Sequence, residues 1–178
     1  MLSFFKTLSL QRKYWLLLLI STLALEATAL YFQHGMGLKP CVMCIYERVA
    51  LFGIAFAAIF GSLAPGLLIM RLIALVIGLG SAIKGLTITL THLDYQTNPA
   101  PWKQCSFFAE FPETLPLDKW LPAVFNPTGN CAEISWQFLG FTMVQWLVFI
   151  FAFYVVLLAL LLISQVKRSR PSQRNLFR

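Results

Sequence analysis

The sequence predicts an all-α membrane protein, a four-transmembrane-helix bundle with a long proline-rich extracytoplasmic loop between helices 3 and 4. Three observations predict it. The 178-residue chain is 58% hydrophobic and only 12% charged, so it has too few polar groups to coat a soluble domain and too much apolar surface to bury inside one. Four apolar stretches, roughly Tyr14 to Phe32, Ile45 to Leu63, Leu67 to Leu90 and Val144 to Ile163, each approach the ~20 residues that a spanning helix needs. The formal charge of +7 is also strongly one-sided. Lys6, Arg12 and Lys13 precede the first stretch, Arg71 lies by the turn between the second and third, and Lys167, Arg168, Arg170, Arg174 and Arg178 follow the fourth. No acid accompanies them, whereas Asp94, Glu110, Glu113, Asp118 and Glu133 all fall between the third and fourth stretches, beside only Lys103 and Lys119. By the positive-inside rule both termini are cytoplasmic, as an even number of spans requires. A basic flank beside a span is the ordinary orientation signal, so the charge does not point to nucleic acid.

The chain reads as one membrane domain, 1–178. Residues 1–13 are cytoplasmic and 14–32 form the first span. Ala27-Thr28-Ala29 offers the small-residue site of a cleaved signal peptide, but Glu26 beside it is unusual for one, and the segment is expected to be retained. Residues 33–44 form a short outward loop, 45–63 the second span, 64–71 a cytoplasmic turn and 72–90 the third span. The long outward loop, 91–143, holds six of the nine prolines, Pro99, Pro101, Pro112, Pro116, Pro122 and Pro127, each of which removes a backbone donor and restricts its predecessor. Extended regular structure is therefore unexpected there, and loops of this length are usually functional or disordered. Leu117, Trp120, Leu121 and Val124 nevertheless recur at helical spacing. They suggest a short amphipathic helix in the membrane interface, anchored by Trp120 and made irregular by Pro122, or else a loop packed on the outer end of the bundle. The fourth span is 144–163 and the tail 164–178 is cytoplasmic.

All four cysteines, Cys41, Cys44, Cys105 and Cys131, lie on the outward side. An even set confined to the outer face reads as disulfide chemistry, because disulfides persist outside the cytosol. Static bridges are one reading, although a Cys-x-x-Cys bridge closes so small a ring that it adds little stability. A four-cysteine zinc site is a second, but zinc ribbons usually supply two tight Cys-x-x-Cys knuckles, and no metal is expected. Redox catalysis is the third, and the setting of the first pair favours it. Pro40 precedes Cys41 and the apolar run starts at Ile45, so the pair sits at a helix N-terminus, where free N–H groups and the macrodipole favour a thiolate. Arg48, four residues after Cys44 on the same face, is either a cation that stabilises that thiolate or an interfacial anchor. Glu47 reads as an acid that complements the helix dipole.

These residues bring a family into view. The chain resembles the disulfide bond formation protein B (DsbB) family of bacterial inner-membrane thiol:quinone oxidoreductases. The resemblance rests on Lys-Pro-Cys-Val-Met-Cys-Ile-Tyr-Glu-Arg at Lys39 to Arg48, Phe-Gln-His at Phe32 to His34, and Pro-Leu-Asp-Lys-Trp at Pro116 to Trp120, together with Cys105, Cys131 and His92. It implies two communicating disulfides, Cys41 with Cys44 and Cys105 with Cys131, and a periplasmic thioredoxin-fold oxidase of DsbA type as partner. A thiolate of that partner attacks Cys105, Cys131 is freed and attacks Cys41, and Cys44 is released as a thiolate beside Arg48. The leaving thiol goes fastest when its pKa is low. The resemblance further implies ubiquinone or menaquinone as electron acceptor in the lipid bilayer. Cys44 and Arg48 would contact it, and His92 would serve as hydrogen-bond or proton donor to its ring; His34 reads as non-catalytic.

Two intramembrane charges remain. Glu26 and Lys84 each lie eight residues before a histidine at an outer helix end, His34 and His92, which puts both about 12 Å deep at ~1.5 Å per residue. The matched depths suggest a Glu26 to Lys84 contact, since charges in lipid are costly unless paired; the alternative is that Lys84 snorkels outward and Glu26 is protonated. The rival functions are a quinone reductase of vitamin K epoxide reductase type, which resembles the opposite placement of the cysteine motifs, and a non-enzymatic tetraspan scaffold stapled by inert bridges.

Overall fold

The computed structural model describes residues 2–98, 105–106, 110–111 and 116–166. Pro99, Pro101, Lys103, Pro112, Glu113 and the basic tail from Lys167 lie outside the described residues. Among those described, four helices are long and apolar enough to cross a membrane, and the protein is an all-α, four-helix membrane protein.

A first helix, α1 (Leu2–Leu10), precedes the spans and was not legible as an element. Gln11, in extended conformation, separates it from α2 (Arg12–Leu30). The buried residues of α2 are Trp15, Leu18, Thr22 and Glu26, one stripe at spacings of three and four. The helix then widens into a π turn, Tyr31–Gly35, in which the Met36 N–H reaches back to the Tyr31 carbonyl at 3.1 Å. A Cβ at Gly35 would stand 2.8 Å from the Tyr31 ring, so the widened turn uses a residue without one.

The third helix, α3 (Val42–Leu63), is the most enclosed of the four, and it stops where Pro65 forces Ala64 out of helical conformation. Next comes α4 (Leu68–Thr97), whose 30 residues span ~45 Å, well beyond the ~30 Å hydrocarbon core. The apolar run ends near Leu90, but the backbone continues helically for two further turns and carries His92 within the helix. In the loop, Leu117–Trp120 (α5) and Pro122–Phe125 (α6) are two single helical turns rather than one helix. Leu121 between them has ψ of 66°, as a residue before proline tends to. Trp120 and Leu121 are exposed.

A short antiparallel hairpin, β1 (Gln137–Phe138) with β2 (Phe141–Thr142), two residues to a strand, is the only strand pairing among the described residues. The prolines stop at Pro127, leaving this last stretch free to pair. Leu139 and Gly140, both at positive φ, make its two-residue turn. The chain then enters α7 (Met143–Val166).

Around the bundle α2 packs on α3, α3 on α4, and α4 on α7, while α1 lies against α7. Small residues permit close approach, as is usual between membrane helices. Gly61 faces the Trp15 ring and Gly85 faces Phe151, and in both places a Cβ would collide with the ring. At the end carrying the chain's N-terminus, Arg71 donates to Gln165 and to the Pro65 carbonyl, and Gln165 donates to Ser9. The ring of helices closes between α2 and α7 through the Ser21 and Tyr154 hydroxyls, 3.0 Å apart.

Candidate functional site

Cys41 is the N-cap of α3. Its backbone is extended, and its sulfur accepts a hydrogen bond from the Cys44 N–H at 3.2 Å, satisfying one of the free donors of the first turn. The two sulfurs are 2.7 Å apart. The helix begins at Val42, three residues before the apolar run, so Cys44 lies in its first turn. Cys41, buried, and Cys44, half-buried, are both free thiols, so the Cys41–Cys44 disulfide that the resemblance implies is not formed in this structure, which holds the pair reduced.

His92 comes across from α4. Its Nε2 lies 3.5 Å from Cys41 Sγ, and its Nδ1 lies 3.0 Å from the Glu47 carboxylate. The ligand atoms of Cys41, Cys44 and His92 all fall within 4.8 Å of one another. Glu47 is 2% exposed, and its second carboxylate oxygen has no hydrogen-bond partner among the described residues. The reading of Glu47 as an acid that only complements the helix dipole is therefore corrected: burial beside an imidazole gives it a specific partner. A signal for this was present, since Glu47 follows Cys44 by three residues and so shares its helical face.

Arg48 points into the same region. Its Nη1 donates to Gln33 Oε1 at 2.9 Å and to the Val124 carbonyl, and its Nε stands 3.6 Å from Glu26 Oε2. Gln33 in turn donates to the Ala123 carbonyl at 2.8 Å, so Arg48 and Gln33 together hold α6 over the ends of α2 and α3. Glu26 therefore pairs with Arg48, and the expected Glu26 to Lys84 contact is not formed. The helix that α2 packs on is α3, and Lys84 lies exposed on the outer face of α4. Glu26 and Arg48 are 3% and 5% exposed. Both Glu26 oxygens and Arg48 Nε lack a hydrogen-bond partner among the described residues, leaving polar capacity at the wall of a cavity.

That cavity, of 340 Å³, lies between α2 and α7 with α3 and α4 behind it. Its polar lining includes Cys41, Cys44, Arg48, His92, Glu26 and Glu47, while Leu25, Phe32, Trp146, Leu147 and Ile150 are among its apolar walls. His34 is exposed and does not line it.

Cys105 and Cys131 are joined in a disulfide. Cys131 is buried, and its backbone faces the His92 ring. The segment just before it is anchored to the first pair: the Thr128 and Gly129 N–H groups both donate to the Pro40 carbonyl at 2.9 Å. Gly129 abuts the Lys39 carbonyl so closely that no side chain fits. Farther along the loop, the Tyr46 hydroxyl accepts from the Glu110 N–H at 2.7 Å, and the Tyr46 ring meets Phe111, which meets Phe125.

The family described as Disulfide bond formation protein DsbB matches residues 11–161. The chain is 68% identical over 177 residues to the disulfide bond formation protein B of Pasteurella multocida, covering 99% of each chain. It is 58% identical to that of Mannheimia succiniciproducens over the whole of both chains, and 59% identical to that of Haemophilus influenzae strain 86-028NP over 99% of each.

Proposed function

The chain belongs to the disulfide bond formation protein DsbB family, and we propose that it is a thiol:quinone oxidoreductase that reoxidises a DsbA-like dithiol oxidase and passes the electrons to a membrane quinone. In this reading it is a multi-pass protein of the bacterial inner membrane, with both termini cytoplasmic and the four cysteines periplasmic. One observation carries the proposal: the Cys41 and Cys44 thiols stand in the wall of an apolar cavity between two membrane helices, with the Cys105–Cys131 disulfide docked beside them.

The residues fit a quinone ring. A cavity of 340 Å³ suits a small-molecule headgroup, and apolar residues of α2 and α7 suit an isoprenoid tail. Arg48 and Glu26, with unused polar capacity at its wall, supply groups to hold ring oxygens. When bound, ubiquinone or menaquinone supplies the two-electron oxidising power, which must lie above the potential of a DsbA-like partner, about −120 mV.

The protein's own groups do the rest. A thiolate of the partner attacks Cys105 and frees Cys131. Cys131 then attacks Cys41, and Cys44 leaves as a thiolate. The α3 N-terminus and Arg48 stabilise the negative charge on that leaving sulfur. Arg48 also offers a preorganised cation for charge that develops on an acceptor oxygen. The hydrogen bonds from Thr128 and Gly129 to Pro40 hold the Cys131 segment against the loop that leads into Cys41.

The test mixes purified protein with a reduced DsbA-like partner and a soluble quinone and follows quinone reduction. Wild type is expected to turn over, with Cys44→Ala and Cys105→Ala both inactive. Undiminished turnover by Cys44→Ala would overturn the mechanism.

A further inference from the structure

Glu47, His92 and Cys41 form a continuous chain from carboxylate to imidazole to thiol. The Glu47 carboxylate lies 3.0 Å from His92 Nδ1, and His92 Nε2 lies 3.5 Å from Cys41 Sγ. All three side chains are buried, none more than 3% exposed. The three residues come from two helices, so the line is made by packing α3 on α4 and not by local geometry. A carboxylate on Nδ1 selects the tautomer with the proton on that nitrogen, which leaves the lone pair of Nε2 directed at the sulfur. This is the arrangement by which a carboxylate orients a histidine base toward a nucleophile.

We infer that His92 is the general base for Cys41 and that Glu47 is the positioning residue that aims it. The inference rests on the thiol:quinone reading above and concerns one step within it. When the partner's second thiolate closes the partner's own disulfide and frees Cys105, Cys105 attacks Cys131, re-forming that disulfide and leaving Cys41 and Cys44 both reduced. Counted from the two thiols, oxidation of this pair breaks two S–H bonds, forms one S–S bond and releases two electrons and two protons. The electrons pass to the quinone. The Cys41 proton goes to His92 Nε2 as the Cys41 sulfur bonds to Cys44, which reaches the step as a thiolate, its proton already given up to the cavity that both sulfurs line. Both protons end on the oxygens of the reduced acceptor. Glu47 stabilises the imidazolium formed in between. That is a use for a buried carboxylate that packing alone does not require, and its second oxygen has no hydrogen-bond partner among the described residues.

The test needs neither quinone nor partner. In the full-length Cys44→Ala protein with its remaining disulfide reduced, Cys41 is alkylated with iodoacetamide at neutral pH and followed by mass spectrometry. Only the thiolate reacts, so loss of the base slows the reaction. Glu47→Gln and His92→Phe are each expected to slow it about ten-fold, and the double variant no further, because Glu47 acts through His92. A carboxylate that merely supports packing would give the opposite sign, since loosening exposes a buried thiol and speeds alkylation. An unchanged or faster rate in Glu47→Gln, or additive effects in the double variant, overturns the inference. As a check that requires no variant, nitrogen-15 spectra of the reduced wild type should show His92 protonated at Nδ1; protonation at Nε2 alone overturns it. Failure of wild type to reduce quinone, by contrast, would sink the functional reading and leave this proton chain standing.

Discussion

Arg48 is held by one ion contact and two hydrogen bonds, to Glu26, Gln33 and the Val124 carbonyl. Burying two charges is expensive, and removing one partner leaves the other uncompensated, which typically costs ~3–5 kcal/mol. Glu26→Gln is therefore expected to lower stability, but by less than that figure, because Gln33 and the Val124 carbonyl still accept from Arg48; the measurement is denaturant unfolding in detergent. Glu26→Gln and Arg48→Met should couple by more than ~1 kcal/mol in a double-mutant cycle, whereas Glu26→Gln and Lys84→Met should simply add. Additivity across Glu26 and Arg48 would show that no such pair exists in solution. Lys84, on the exposed outer face of α4, has no share in this network.

Two loops meet where the outer loop is anchored on the segment before α3. Gly129 lies against the Lys39 carbonyl, with no room for a Cβ, and the Thr128 and Gly129 amides share the Pro40 carbonyl. Gly129→Ala forces these backbones apart, an overpacking cost of ~1–3 kcal/mol. The expected result is selective. Quinone reduction driven by the protein partner, which must pass through Cys131, falls several-fold, while reduction driven by dithiothreitol acting directly on Cys41 and Cys44 is preserved. Equal losses in the two assays would mean that the anchoring does not serve the exchange. Other fixed points of the loop on α3 are likewise backbone or aromatic contacts, such as Tyr46 with Glu110 and Phe111.

Across the whole molecule, α2 and α7 touch through Ser21 and Tyr154 and stand apart above that level, where the cavity lies. The aromatic hairpin roofs the gap: Trp136 stacks on Phe138 and packs on Phe32, and both Trp136 and Phe138 line the cavity. A lipid-soluble acceptor with a long tail would enter from the side, between these two helices. Ala29→Phe narrows the gap from the α2 side. It is expected to raise the KM for a long-tailed quinone about ten-fold while leaving the KM for the reduced protein partner unchanged. A shift in the latter alone would place the acceptor elsewhere.

Hydropathy, charge asymmetry and helical spacing are local properties, and they were enough to determine a four-helix membrane bundle, a Cys-x-x-Cys pair at a helix start and an arginine one turn beyond it. Position along each helix was also legible, because it follows from counting residues. What counting does not supply is rotation about each helix axis and the choice of neighbour. Packing decided both. It set α2 beside α3, so Glu26 found Arg48 and not Lys84, and it turned His92 on α4 toward Cys41 and Glu47 on α3. The α4 extension beyond Leu90 and the hairpin before α7 escaped the sequence for the same reason: both segments gain their partners from distant parts of the chain, such as Glu47 for His92 and Phe32 for Trp136.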